Sequence, residues 1–212
     1  MKSARNLAAL WCAALLAACG NADQTRVDTD TDARVDALEA EAAELETRAN
    51  RVADSLDNTA EMESASYDVL NSAGRSIGTV TIADTVDGVD VTLNVNAIPE
   101  GEHAIHFHET GTCDGPDFTS AGGHYNPSGT NHGFEAAAPN PHAGDMRNFD
   151  APQSGVVRTT LSNDRVSLSA RDGMAPLRDA NGTALIIHAG ADDYRSQPSG
   201  AAGGRIACAV ID

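Results

Sequence analysis

Lysine is almost missing from this sequence: Lys2 is the only one among 212 residues, so every cationic role beyond the N-terminus falls to arginine. Acidic residues outnumber basic ones 31 to 14, giving a formal net charge of −17. So acidic a chain has no basic surface with which to displace counterions from phosphate, which excludes nucleic acid as a partner. Aromatic residues make up only 4%, so a buried core must come chiefly from Val, Ile, Leu and Ala. Long hydrophobic runs are lacking too. The apolar stretch from Leu7 to Leu16 is too short to span a bilayer as a permanent helix. What remains has the length of one domain plus flanking segments.

The first of those segments reads as a processing signal. Lys2 and Arg5 supply a positive start, Leu7 to Leu16 the apolar centre, and Leu16-Ala17-Ala18-Cys19 resembles a bacterial lipoprotein cleavage box. Residues 1–18 are then a signal peptide and Cys19 the lipidated residue; the alternative is an ordinary signal peptide in which Cys19 is incidental. Acyl chains on Cys19 would hold the exported protein to a membrane. Gly20 offers no inner-membrane retention signal, so the expectation is the periplasm, anchored at the outer membrane. Cys12 leaves with the signal and Cys19 carries lipid. Cys113 and Cys208 are left, in a compartment where a disulfide persists.

Residues 19–60 form a segment of their own. Gly20 to Asp32 is polar and Asp-rich, a solvated tether. Beyond it Val35, Leu38, Ala42, Leu45, Ala49, Val52 and Leu56 alternate spacings of three and four, a heptad stripe among good helix formers. This predicts a short helix over 33–57. It is either a coiled-coil stalk, one route to a homo-oligomer, or an amphipathic spacer with nothing against it.

From Ala65 the hydrophobic period changes to two. Tyr67 to Leu70, the turn Asn71-Ser72-Ala73-Gly74, Ile77 to Ile82, and Val89 to Val95 read as successive strands. Further candidates are Ala104 to His108, Gly155 to Leu161, Arg165 to Ala170, Ala184 to His188 and Ile206 to Ile211. About eight short strands without a helical period predict an all-β, eight-stranded antiparallel Greek-key barrel or sandwich over residues 61–212. Glu109 to Pro152 departs from this: long, rich in Gly, Pro and Asn, and without a period. A loop of that length needs a function or a metal to order it.

Histidines supply the reason. Seven are present, and five lie in or beside that loop: His106, His108, His124, His132 and His142. Histidine is a frequent metal ligand. His106 and His108 stand two apart on an expected strand, so both leave one face and can serve one ion. His103 has the opposite parity and should point to the core. His188 ends another strand and offers a third nitrogen. His132, His142 and Asp145, presented from loops, suit zinc. No Cys or Met accompanies them as a soft ligand, which disfavours an electron-transfer copper centre.

Five blocks in order now carry a family resemblance: Gly101-Glu102-His103-Ala104-Ile105-His106-Phe107-His108; Thr119 to Pro127 with Asn131-His132-Gly133; Pro141-His142-Ala143-Gly144-Asp145; His188 to Asp193; and Gly203-Gly204-Arg205-Ile206-Ala207-Cys208. Over about residues 64–212 the chain resembles the copper/zinc superoxide dismutases. The resemblance implies one copper ion on His106, His108, His124 and His188, and one zinc ion on His124, His132, His142 and Asp145, with His124 bridging. It implies that Asp192 links His106 to His132, that Arg205 docks superoxide, that His124 delivers a proton, and that Cys113 pairs with Cys208. His103 becomes a structural residue rather than a ligand.

The match has gaps. Ala189 to Gly204 is short, and only Asp192, Asp193 and Arg195 are charged there, so long-range steering of superoxide is expected to be weak. Phe134 to Asn140 is apolar, unlike the charged eukaryotic version. Two other readings use the same residues: a copper-delivery module on this fold, or an envelope protein with structural zinc alone. The first should lack a copper ligand or Arg205, whereas all are present.

Overall fold

A computed structural model describes residues 29–60, 62–136, 140–171 and 173–212. The expected signal peptide and the lipidation site at Cys19 lie outside these residues. The helix α1 (Thr29–Ala60) has 32 residues, about 48 Å at 1.5 Å per residue. It is longer than the 33–57 segment expected, because the stretch assigned to the tether already turns as helix from Thr29. Acidic residues are favoured in a first turn, where their charge meets the positive end of the helix dipole. No helix among the described residues is long and apolar enough to cross a membrane.

The remainder is β structure. Its strands are β1 (Ser64–Asn71), β2 (Ser76–Thr85), β3 (Gly88–Val95), β4 (Gly101–His103), β5 (Ile105–His108), β6 (Phe149–Ala151), β7 (Val157–Asn163), β8 (Val166–Ser167), β9 (Ala175–Pro176), β10 (Thr183–His188) and β11 (Arg205–Ile211). Seven of them make one antiparallel sheet in the order β5-β10-β11-β1-β2-β3-β7. Period-two alternation sets which face is buried. Val80 and Ile82 of β2, Val89, Val91, Leu93 and Val95 of β3, and Ile105 and Phe107 of β5 enter one core. Every residue of β10 is buried, which explains its near-continuous apolar run. Behind it Ala184, Ile186 and Cys208 pack with Phe118 and Ala121 in a second cluster.

The antiparallel β architecture is the one expected, with three local differences. The stretch Ala104 to His108 is not one strand: Ala104 leaves the ladder, donating its N–H to Gly190 and accepting from His188, so β4 pairs with β6 while β5 pairs with β10. The irregular region contains strand β6 and a 3-10 turn, Thr119–Ala121, both too short to show a period. Arg165 to Ala170 keeps only β8, which pairs in parallel with β9.

Cys113 and Cys208 are joined, with Cα atoms 5.8 Å apart across a sequence separation of 95. The bond ties the start of the long loop to β11. Replacing both cysteines with serine should cost about 4 kcal/mol through the released loop entropy. Denaturant unfolding of the two proteins under oxidising conditions checks this; equal midpoints would contradict it.

Candidate metal centre

β5 sends Ile105 and Phe107 into the core, which turns His106 and His108 together to the other face. One edge of β5 pairs with β10, whose last residue is His188. Loop residues occupy the other edge as isolated bridges, His124 opposite His108 and Asp145 opposite His106. Phe107 donates its N–H to Gly144 (2.9 Å) and accepts one from Tyr125 (2.8 Å), locking that edge. A Cβ on Gly144 would lie 2.3 Å from the Phe107 oxygen, so only glycine lets the loop come this close.

Two groups of side chains converge there. One potential ligand atom from each of His106, His108, His124 and His188 lies within 4.8 Å of the others, and the same holds for His124, His132, His142 and Asp145. His124 belongs to both. Its ring centroid is 4.1 Å from that of His106, 5.0 Å from His108, 5.1 Å from His132, 5.6 Å from His142 and 6.1 Å from His188.

Hydrogen bonds decide which nitrogen of each ring is free. A carbonyl only accepts, so His108 Nδ1 donates to Gly122 (3.0 Å) and His188 Nδ1 donates to Gly203 (3.3 Å). His106 donates from Nε2 to Asp192 Oδ2 at 2.9 Å. A neutral imidazole carries one N–H, so lone pairs remain on His106 Nδ1, His108 Nε2 and His188 Nε2. With His124 Nε2, these atoms are buried and have no hydrogen-bond partner. Burial and neighbouring rings push His108 down to about 2 and His188 to about 3. Burial takes His124 to about 4 against the pull of Asp145. All three rings are therefore neutral at physiological pH. Lone pairs crowded in a dry pocket repel, and each has lost its bond to water; a cation removes both penalties. An all-imidazole set of this kind fits copper.

The second group centres on Asp145. Its Oδ1 lies 2.9 Å from His124 Nδ1, 3.0 Å from His132 Nδ1 and 3.4 Å from His142 Nδ1. Its Oδ2 is occupied by the N–H groups of Gly133 (2.9 Å) and His142 (3.2 Å). Ligands about 2.0 Å from a tetrahedral zinc ion are about 3.3 Å from one another, so this donor set fits zinc. Burial opposes ionisation of Asp145, but hydrogen bonds from His124 and His132, with the His142 ring close by, hold it far below the usual carboxylate range. Burial likewise opposes charge on His132, while Asp145 and Asp192 together raise it to about 9.

Asp192 stands where the sequence reading expected it. Oδ1 is 3.0 Å from His132 Nε2 and Oδ2 is 2.9 Å from His106 Nε2, so one carboxylate orients a ring of each group. His103 is buried outside both groups; its ring nitrogens lie 2.8 Å from the carbonyls of His188 and Pro99. Arg205 lines the same pocket as His108, His124 and His188. Its guanidinium donates to the carbonyls of Phe118 and Gly122, both at 2.6 Å.

Three contributors escaped the sequence reading. The Gly122 carbonyl serves both His108 and Arg205; a backbone acceptor has no side chain to announce it. Asn148 accepts from Asp192 N–H and donates to its carbonyl, each at 3.0 Å. Gln197 closes on His132, accepting its N–H and donating to its carbonyl, both at 2.9 Å. Gly200 lets that loop press in, since a Cβ there would lie 1.8 Å from Asp192 Oδ1. The run of polar residues before Gly200 was the only signal.

Comparison with known proteins agrees with this geometry. A family model described as copper/zinc superoxide dismutase matches residues 76–211. The chain is 43% identical over 145 residues to superoxide dismutase [Cu-Zn] 1 of Aquifex aeolicus, covering 68% of this chain and 85% of that protein. It is 39% identical over 139 residues to superoxide dismutase [Cu-Zn] of Caulobacter vibrioides, covering 65% and 79%. A solved double mutant of a SOD-like protein from Bacillus subtilis superposes with a TM-score of 0.65 at 36% identity, over 69% of this chain and 95% of that one.

The Gln197 side chain bonds to His132 and Arg195 and makes no hydrogen bond to the all-histidine group. Gln197→Ala should speed zinc release from the loaded protein by about tenfold while copper stays bound. Metal content followed over time against a chelator measures this; equal zinc release would show the clamp to be idle.

Proposed function

The chain belongs to the copper/zinc superoxide dismutase family, and from that premise we propose that it dismutates superoxide to dioxygen and hydrogen peroxide at a copper ion joined to zinc through His124. The observation that carries this reading is the double membership of one ring, with Nε2 free among the all-histidine group and Nδ1 beside Asp145. His106, His108, His124 and His188 would hold the copper, and His124, His132, His142 and Asp145 the zinc, one ion of each per chain. When bound, copper would supply a one-electron couple for superoxide and zinc a fixed positive charge.

The protein's own groups do the rest. Superoxide is an anion approaching a chain of formal charge −17, so the site needs local positive charge. Arg205 provides it, fixed by the two carbonyls so that its guanidinium stays at the pocket wall. The nearby segment adds little. Arg195 is paired with Glu135, and Asp193 accepts from the N–H groups of Arg195 and Ser196. Long-range guidance is accordingly weak, and docking by Arg205 dominates. Hydrogen peroxide needs protons. Nε2 of His124, the ring nitrogen without a partner, would take one up from water and pass it to the reduced superoxide, solvent would supply the second, and Nδ1 would stay beside Asp145 and keep the ring in place.

In the same reading, acyl chains on Cys19, placed by the cleavage box Leu16-Ala17-Ala18-Cys19, tether the enzyme to the outer membrane. There it removes superoxide before the envelope is damaged.

His188→Ala should abolish dismutation and lower copper content while zinc is retained; a fully active variant would sink the assignment. Arg205→Ala should keep both metals and lose about tenfold in rate. A rate unchanged at low salt, measured by pulse radiolysis, would refute its docking role.

A further inference from the structure

Five large apolar side chains stand exposed among the described residues, and four of them lie on one line of α1: Val35 at 48%, Leu38 at 64%, Leu45 at 59% and Val52 at 59%. Ala42 and Ala49 continue the line. These positions alternate spacings of three and four, the heptad pattern, whose period falls short of the 3.6 of a straight helix. A stripe of that period stays in contact with a partner only if the partner is another helix wound around it.

The flanks narrow the choice of occupant. Glu39, Glu41 and Glu46 outnumber Arg34 and Arg48 along the borders of the stripe, whereas a helix laid on an anionic lipid surface has a basic border. An identical stripe matches this one layer for layer. With Val35 and Leu38 taken as the first core pair, Val35 falls at the position where a β-branched residue favours two parallel strands and Leu38 and Leu45 at the position where leucine does, while Val52 takes the leucine position. In that register Arg34 of one copy reaches Glu39 of the other, while Glu41 faces Glu46. The attraction and the repulsion offset, and the two alanine layers bury little.

We propose that α1 pairs in parallel and in register with the α1 of a second copy of this chain, through Val35, Leu38, Ala42, Leu45, Ala49 and Val52. The seam is thin, so the association is weak and depends on concentration. It is independent of the metal centre and leaves activity per chain unchanged.

Light scattering on the full-length, metal-loaded chain in mild non-ionic detergent tests this over a wide concentration range. The protein mass should rise from that of one chain toward twice that value as concentration increases. The double variant Leu38→Lys, Leu45→Lys keeps good helix formers and should stay at the single-chain mass with normal dismutase activity. Ala40→Lys with Thr47→Lys adds the same charge on the opposite face and should still pair. A wild-type mass that never rises would overturn the proposal, and so would equal association in the two variants.

Discussion

Among the described residues five ring nitrogens are buried without a hydrogen-bond partner: His106 Nδ1, His108 Nε2, His124 Nε2, His142 Nδ1 and His188 Nε2. Each such orphan costs about 1–3 kcal/mol, and together they rival the net stability of a whole domain, about 5–15 kcal/mol. No rearrangement of protons cures this. Nδ1 of His108 and of His188 donates to Gly122 and Gly203, so the inward-facing atoms of those neutral rings are lone pairs, and Asp192 engages the outward-facing nitrogen of His106. Cations bound among them would turn these lone pairs into bonds.

The scaffold is arranged to keep those lone pairs aimed. A four-residue strand at the sheet edge carries two of the rings, the last residue of its neighbour carries a third, and loops pinned across the free edge bring His124 and Asp145. Asp192 grips one ring of each group, so a shift on one side is felt on the other. The Gly122 carbonyl joins His108 to Arg205, which couples the metal pocket to the anion dock. The disulfide holds the loop carrying Phe118 and Gly122 against β11, three residues beyond Arg205.

Much of this was legible in the sequence, for identifiable reasons. The period of two placed His106 and His108 on one face, because side-chain direction in a strand follows from position alone. The long aperiodic loop with its histidines announced a site ordered by something other than apolar packing. The resemblance then gave the pairing of Cys113 with Cys208 and the place of Asp192. What stayed hidden depends on tertiary approach. The break at Ala104 comes from bonds to Gly190 and His188, remote in sequence. The Gln197 clamp reaches back 65 residues. Which nitrogen of each imidazole is free follows from carbonyls that no residue letter records.

The central claim is that the ring of His124 touches both ions. Diffraction from crystals of the copper- and zinc-loaded protein, collected at both metal absorption edges, tests it most directly. The account predicts a copper peak bonded to His124 Nε2 and a zinc peak bonded to its Nδ1, one on each side of a single ring. Both metals bound with that ring coordinated to neither, or a copper peak outside the four-histidine group, would contradict it.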